Sequence, residues 1–202
     1  YRFNPLFAGI REHLHRGEIG APVSARSVFT IPGTMSDTWR GSRSTGGGSV
    51  LDLATHDIDL LRFTMAAEVT TVSAKIESRE TEHDHASLDL LFDNSVTASV
   101  TCAYGQKFSH SLSIMGINGE LSAELATAST HGFSAHRVRY FLARRGAPYN
   151  EPSYKTALAS FVEAVRTRSE FSPNIADGVI ALRVAAAAEE SALTGLPVVM
   201  AE

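Results

Sequence analysis

Val96-Thr97-Ala98-Ser99-Val100-Thr101-Cys102-Ala103-Tyr104 is the stretch on which the fold turns. Val96, Ala98, Val100, Cys102 and Tyr104 fall on one face of an extended chain and Thr97, Ser99 and Thr101 on the other, because successive side chains of a strand point to opposite sides. Such a strand offers one face to a core and keeps the other polar. Working outward, the same alternation predicts strands over Val23–Ile31, Val69–Ile76, Ala86–Phe92, Ser111–Ile117, Leu121–Leu125 and His136–Leu142. Asn118-Gly119 reads as a two-residue hairpin turn and Asp93-Asn94 as a second one. Strands joined by turns this short run antiparallel.

Helical patterns flank these strands. Asn4-Pro5 followed by Leu6, Ile10 and Leu14 predicts a short amphipathic helix ending near Gly17. Ser49 to about Met65 reads as a helix with Ser49 as its N-cap, Leu158, Phe161, Val162 and Val165 mark another at the i, i+3, i+4, i+7 spacing, and Val179 to Leu193 mark a last one stopped at Gly195. Helices at both ends of a strand meander predict an α+β fold: an open-faced, predominantly antiparallel β-sheet covered by helices on one side, in a single domain over residues 1–202. The uncovered face, dotted with Ser and Thr, has to meet water or another subunit. Pro32 to Gly48, rich in Gly, Ser and Thr, is a long loop carrying the only tryptophan, Trp39, beside Arg40; loops of that length inside compact domains tend to be functional or disordered.

Composition narrows the classes. A chain of 202 residues buries roughly 70% of the surface its unfolded form exposes and needs no metal or disulfide staple. The single cysteine, Cys102, has no partner for an internal disulfide and sits in an apolar alternation, as a buried structural thiol in a reducing cytoplasm would. A net charge of -4, with basic residues scattered apart from short groups such as Arg137, Arg139, Arg144 and Arg145, argues against nucleic acid as a partner. No apolar run approaches the roughly 20 residues that span a bilayer and no signal peptide opens the chain, so a cytoplasmic location without membrane contact is expected. Opening at Tyr1 rather than at methionine, the chain is expected to be a piece of a longer protein.

The chemistry concentrates in Gly46-Gly47-Gly48-Ser49-Val50-Leu51-Asp52-Leu53-Ala54-Thr55-His56-Asp57-Ile58-Asp59. On an α-helix turning about 100° per residue, Asp52, His56 and Asp59 stand at about 0°, 40° and -20°, so one narrow polar stripe holds two carboxylates and an imidazole on an otherwise apolar helix. That suits the wall of a cleft. The plainer alternative is a capping box, Ser49 with Asp52 three residues on, beside a solvated His56 and Asp59. A metal pair at Asp52 and His56, which would suit a hydrolase, shows no third ligand. His83 and His85 read as a polar turn before a strand, and His13 and His15, about 200° apart on a helix, cannot share an ion. No metal site is expected.

The motif Gly-Gly-Gly-x-x-x-Asp-x-x-x-His-x-x-Asp at residues 46 to 59 resembles the signature segment of the Gfo/Idh/MocA oxidoreductases, the glucose-fructose oxidoreductase and inositol dehydrogenase family. Tyr1-Arg2-Phe3-Asn4-Pro5 and Gly17-Glu18-Ile19-Gly20 resemble that family's entry into its second domain, and Thr38-Trp39-Arg40 its loop before the signature. Asp177-Gly178, Ala185 to Ser191, and Gly195 with Pro197-Val198-Val199 resemble its closing helix and strand. The resemblance runs in order over essentially the whole chain.

It implies a two-domain enzyme in which an N-terminal Rossmann domain binds NAD or NADP and a C-terminal sheet domain, this chain, carries substrate residues and packs sheet to sheet in homodimers or homotetramers. It assigns His56 as the acid-base group at a hydroxyl of a sugar or polyol, Asp52 as its catalytic companion, and Asp59, Trp39, Arg40 and Tyr104 to substrate. An imidazole whose ordinary pKa is near 6.5 suits removal of a hydroxyl proton near neutral pH. Neither the family's Gly-x-Gly-x-x-Gly fingerprint nor its Glu-Lys-Pro type lysine occurs here, and Gly46 to Gly48 lacks the spacing of a phosphate cradle. No cofactor-binding residue is therefore expected in this chain, which alone should be inactive. His56 to Phe63 and Tyr104-Gly105-Gln106-Lys107 resemble inositol dehydrogenases, whereas the Trp39-Arg40 loop resembles other sugar dehydrogenase branches. A family member that has lost catalysis and serves as a binding or scaffold protein is the alternative.

Overall fold

The computed structural model describes residues 1–132 and 153–201, and the strand expected over His136–Leu142 lies outside them. Helix α1 (Pro5–His15) begins as the sequence predicts, with the Asn4 side chain accepting from the Leu6 amide and proline in the first turn. Strand β1 (Pro22–Thr30) follows, then the long loop with two short 3-10 turns at Trp39–Gly41 and Arg43–Thr45. A π-helical turn at Val50–Ala54 leads directly into α2 (Thr55–Met65). Strands β2 (Val69–Glu77), β3 (His85–Phe92), β4 (Thr97–Ala103), β5 (Ser109–Gly116), β6 (Gly119–Glu124) and β7 (Ser129–His131) come next, and α3 (Ser153–Thr167), α4 (Ile175–Thr194) and β8 (Val198–Val199) close the chain.

All eight strands form one sheet in the order β7-β6-β5-β1-β4-β3-β2-β8. Every neighbouring pair is antiparallel except β1 and β4, which run parallel from Ser24 opposite Thr97 to Thr30 opposite Ala103. The meander read from the sequence is thus split: β4 and β5 are consecutive yet not paired, and β1 fills the gap between them, antiparallel to β5. Backbone bonds from Ile31 to Ala103, Gly105 to Gly33 and Gln106 to Ile31 hold that junction open. Alternation shows that a segment is a strand; it carries nothing about which strand lies beside it.

Ala25, Phe29, Leu88, Leu90, Phe92, Ala98, Val100, Cys102, Leu112, Ile114, Leu121 and Ala123 point to one face and are buried under the helices. Helix α1 lies over β6, α2 over β1, and α4 over β2 and against α2. The opposite face carries Ser24, Arg26, Thr71, Ser73, Asp89, Thr97, Ser99 and Ser113, and no described element covers it. The β5–β6 turn is Ile117-Asn118 rather than Asn118-Gly119, since Gly116 pairs with Gly119, and neither Asn118 nor Gly119 has positive φ. The segment before β1 shapes this turn, with Asn118 donating to the Ile19 carbonyl and Ile117 to that of Ala21. A Cβ on Gly116 would stand 2.3 Å from the Ile19 oxygen.

Two helix readings change. Ser49 is not an N-cap: its backbone is already helical, and both its amide and its hydroxyl donate to the His83 carbonyl, at 2.7 and 2.8 Å. The capping-box alternative for Asp52 falls with it. Helix α3 forms where the spacing places it, but Leu158, Phe161, Val162 and Val165 remain exposed, and only Ser153 and Ala164 of that helix are buried. Among the described residues no helix is long and apolar enough to cross a membrane.

Candidate functional site

The π-turn opens the site. With i→i+5 bonds it has more residues per turn and so rotates by less than the 100° per residue of an α-helix, and the angles read from the sequence do not hold through Val50–Ala54. Asp52, on this turn, has a side chain 12% exposed, and its Oδ2 accepts from Arg40 Nε at 2.8 Å and from the Tyr104 hydroxyl at 3.1 Å. Three residues expected in the site, from the loop, the helical turn and the end of β4, thus meet on one oxygen. The Arg40 guanidinium lies 4.8 Å over the Trp39 ring, which is half exposed. Burial, then the charge of Asp52 and its hydrogen bond, push the Tyr104 hydroxyl far above its usual pKa. Tyr104 therefore stays a proton donor at any physiological pH.

The glycine run seats the Arg40 loop. A Cβ on Gly47 would come within 2.4 Å of the carbonyl oxygens of both Trp39 and Arg40, so a side chain there would displace that loop. Gly47 donates to the Ser42 carbonyl and Gly48 to that of Arg40. With the Gly46 amide on Arg43 and that of Ser49 on His83, every amide of the run is taken. These donors do not fit a dinucleotide pyrophosphate, which needs free amides at a helix start. The loop is clamped further by Glu82, which accepts from the Ser42 hydroxyl and the Arg43 amide, and by Arg43, which reaches the Gly47 carbonyl and Glu189 on α4.

His56 stands one turn beyond Asp52, and no hydrogen bond joins them among the described residues. Its ring is open to solvent on one side and walled by Tyr1, edge-on at 5.4 Å, and Phe29, at 6.2 Å. This desolvation, with a smaller influence of the neighbouring His110, lowers its pKa below the usual histidine value, against the opposing pull of Asp57 and Asp52. At neutral pH His56 is an uncharged imidazole.

Asp59 is placed differently from Asp52. It is gripped by the fork of Arg2, with Nε 2.9 Å from Oδ2, and Arg62 stands 3.8 Å away. Arg2 also donates to Asp177 and to Ser172, while Arg62 holds Glu68 through two bonds. This chain of charges ties residue 2, α2 and the start of α4 together. Sequence reading missed it, although the three-residue spacing of Asp59 and Arg62 was a visible signal. Also missed was Asp57, fully buried and bonded to His110 on β5. Cys102 is buried, which pushes its thiol pKa up to about 12 and leaves it unreactive. His85 bonds to Asp84 and lies against Gln106, while His83 stands 4.0 Å from Glu189. Among the described residues no three His, Cys, Asp or Glu side chains converge as a metal site would require.

Residues 7–122, more than half of the chain, match the family described as the GFO/IDH/MocA C-terminal domain. The chain belongs to the Gfo/Idh/MocA family. It is 28% identical over 214 residues to an uncharacterized oxidoreductase, YrbE, of Bacillus subtilis, covering 98% of this chain and 60% of that protein. It is 24% identical over 213 residues to the scyllo-inositol 2-dehydrogenase (NAD(+)) of the same organism, again covering 98% and 60%. Among solved structures it superposes on a myo-inositol dehydrogenase from Corynebacterium glutamicum with a TM-score of 0.79 at 25% identity, covering all of this chain and 63% of that one. The family member therefore spans about three fifths of the length of these relatives.

Proposed function

We propose that this chain is the substrate-binding and oligomerisation domain of an NAD(P)-dependent oxidoreductase that oxidises a secondary alcohol of a sugar or polyol, of the inositol type. The observation that carries the reading is an uncharged His56, without a hydrogen bond among the described residues, one turn from a carboxylate that already organises Arg40 and Tyr104. When bound, the nicotinamide supplies the hydride acceptor; the amides of Gly46 to Ser49 are committed elsewhere, so the cofactor is held mainly outside this chain.

What the chain's own residues do follows from their chemistry. His56 Nδ1 or Nε2 accepts the hydroxyl proton as the alcohol becomes a carbonyl, and Asp52 stabilises the imidazolium that forms. Arg40 offers the N–H groups not given to Asp52 as donors to substrate hydroxyls, Tyr104, whose one proton goes to Asp52, offers its oxygen as an acceptor, and Trp39 offers an apolar wall to a ring. Asp59 is assigned a substrate hydroxyl only in competition with Arg2, which already occupies both its oxygens. The exposed sheet face, with Leu91, Met115 and Val199 uncovered and Arg26 and Asp89 without a described ion pair, is the proposed interface with a second copy. Such an interface would bury on the order of 1,200 Å² or more, and light scattering showing only monomer at high concentration would exclude it.

The decisive experiment is His56→Ala in the protein that joins this chain to its dinucleotide-binding part. The expected loss is roughly 10² to 10⁴ in kcat with a much smaller change in KM, the pattern for removing a positioned acid-base group. Near-normal kcat, with hydride transfer shown to be rate-limiting, overturns the reading. Titrating the isolated chain with NADH in a calorimeter checks the cofactor assignment, and micromolar binding would contradict it.

A further inference from the structure

Asp57 and His110 are both fully buried, with His110 Nε2 2.9 Å from Asp57 Oδ1. Removing a carboxylate and an imidazole from water is unfavourable unless every polar atom finds a partner. Here the second oxygen of Asp57 and the Nδ1 of His110 have none among the described residues. A residue that only tied α2 to the sheet could do so with apolar contacts, as Ile58 and Leu61 on the same helix do. The position of the pair suggests why a polar one stands there. His110 stacks face to face on Phe29 at 4.0 Å and meets Tyr1 edge-on at 4.3 Å, and these are the two rings that wall His56. Asp57 is also the next residue in the chain.

We propose that Asp57 and His110 form a positioning pair for His56, holding from inside the core the aromatic walls and the local charge that govern when the exposed imidazole carries a proton. The inference rests on the reading of His56 as the proton acceptor. Among the described residues the titratable side chains that act on His56 are few: Asp52 and Asp57 on its own segment favour the imidazolium, while His110 on β5 opposes it, in addition to burial. Arg40 and Tyr104 act on it only through Asp52, which they hold. The pair therefore contributes two opposed influences from one buried point, together with the stack that fixes Phe29.

The test is a nuclear magnetic resonance titration of the His56 ring in the 202-residue chain, its signal assigned by its loss in His56→Gln. Asp57→Asn keeps an acceptor for the His110 N–H but removes the charge, and His110→Gln keeps a donor for Asp57 but removes the imidazole. The titration midpoint of His56 is expected to fall by roughly 0.5 unit or more in Asp57→Asn and to rise by a similar amount in His110→Gln. Shifts under about 0.2 unit, or shifts of the same sign, overturn the proposal, because general loosening of the fold does not produce opposed signs. Should either variant fail to fold, Phe29→Leu leaves both polar groups in place and thins the wall. The midpoint is then expected to rise toward the ordinary histidine value, and no movement overturns the proposal. These titrations read the pair without any turnover, so a His56 that proves dispensable for catalysis would sink the enzymatic reading while leaving the titration result to stand or fall separately.

Discussion

At one end of the stretch 50–65 the Asp52 carboxylate takes hydrogen bonds from a loop arginine and from the tyrosine that follows β4, beside an imidazole that has none among the described residues; at the other end Asp59 is locked by Arg2 within a chain of charges. The two carboxylates are seven residues apart and similar in exposure, with side chains 12% and 24% accessible. Their partners differ in reach. Those of Asp52 come from the loop and β4 and converge beside His56, whereas those of Asp59 come from the first residues and α4 and converge on the joint between helices. The comparison teaches that identical side chains on one helical stretch take different surroundings according to what the rest of the chain brings to each, and only the Asp52 end has the open imidazole that the proposed chemistry needs.

The sharpest way to break this division is to neutralise each carboxylate in the protein carrying the complete active site. Asp52→Asn is expected to lower kcat by about 100-fold or more with little loss of thermal stability, since the imidazolium formed in the transition state loses its counter-charge. Asp59→Asn is expected to act mainly on KM and on melting temperature. Equal kcat losses in the two variants would erase the distinction. Next in size, Arg2→Ala removes the fork from a partly exposed Asp59 and from Asp177, and should destabilise the isolated chain by roughly 2 to 3 kcal/mol in chemical denaturation. A loss below about 0.5 kcal/mol would make that network ornamental.

The pH dependence tests the role proposed for His56. Because His56 has a lowered pKa, oxidation that needs the uncharged imidazole should rise with pH along a limb centred below 6.5 and level off above it. The same shift means the folded state resists protonation at His56. The ring therefore works against stability when the pH is below the unfolded value near 6.5, and that penalty vanishes as the pH rises past it. A rate profile centred at or above 6.5 would contradict the depressed value.

The smallest effect concerns Asp84. Burial opposes its ionised form, but His85 and the amides of Thr81, Glu80 and Arg79 outweigh that and hold its pKa well below the usual carboxylate range. Its folded pKa being depressed, it contributes stability above the unfolded value near 4, and that contribution is lost as pH falls toward the folded value. Asp84→Asn should therefore destabilise by about 1 to 2 kcal/mol at neutral pH and by less in acid, read from melts at both. A constant difference across pH would rule out the charge as the cause.

Part of the candidate site's geometry is legible in the sequence. The family resemblance groups Asp52, Arg40, Tyr104 and His56, and in the structure the first three meet on one oxygen. His110 continues the inward alternation of Leu112 and Ile114, although the strand expected from Ser111 begins one residue short of it and β5 in fact opens at Ser109. Ser49 has the sequence pattern of a cap, a small hydroxyl residue before an apolar run, but its actual partner, His83, lies 34 residues on.

The sequence by itself determined where most of the described strands and helices lie and which face of each is apolar, and it singled out residues 46 to 59 as the candidate site, because periodicity and local spacing are properties of consecutive residues. Only the tertiary structure decided that β1 slots parallel beside β4, that Asp59 belongs to Arg2, and that Asp57 meets His110. Those pairings join residues 53 to 73 positions apart in the chain, counting Ser24 with Thr97, Arg2 with Asp59 and Asp57 with His110. They are selected by how the sheet and helices close around one core, and no local pattern encodes that.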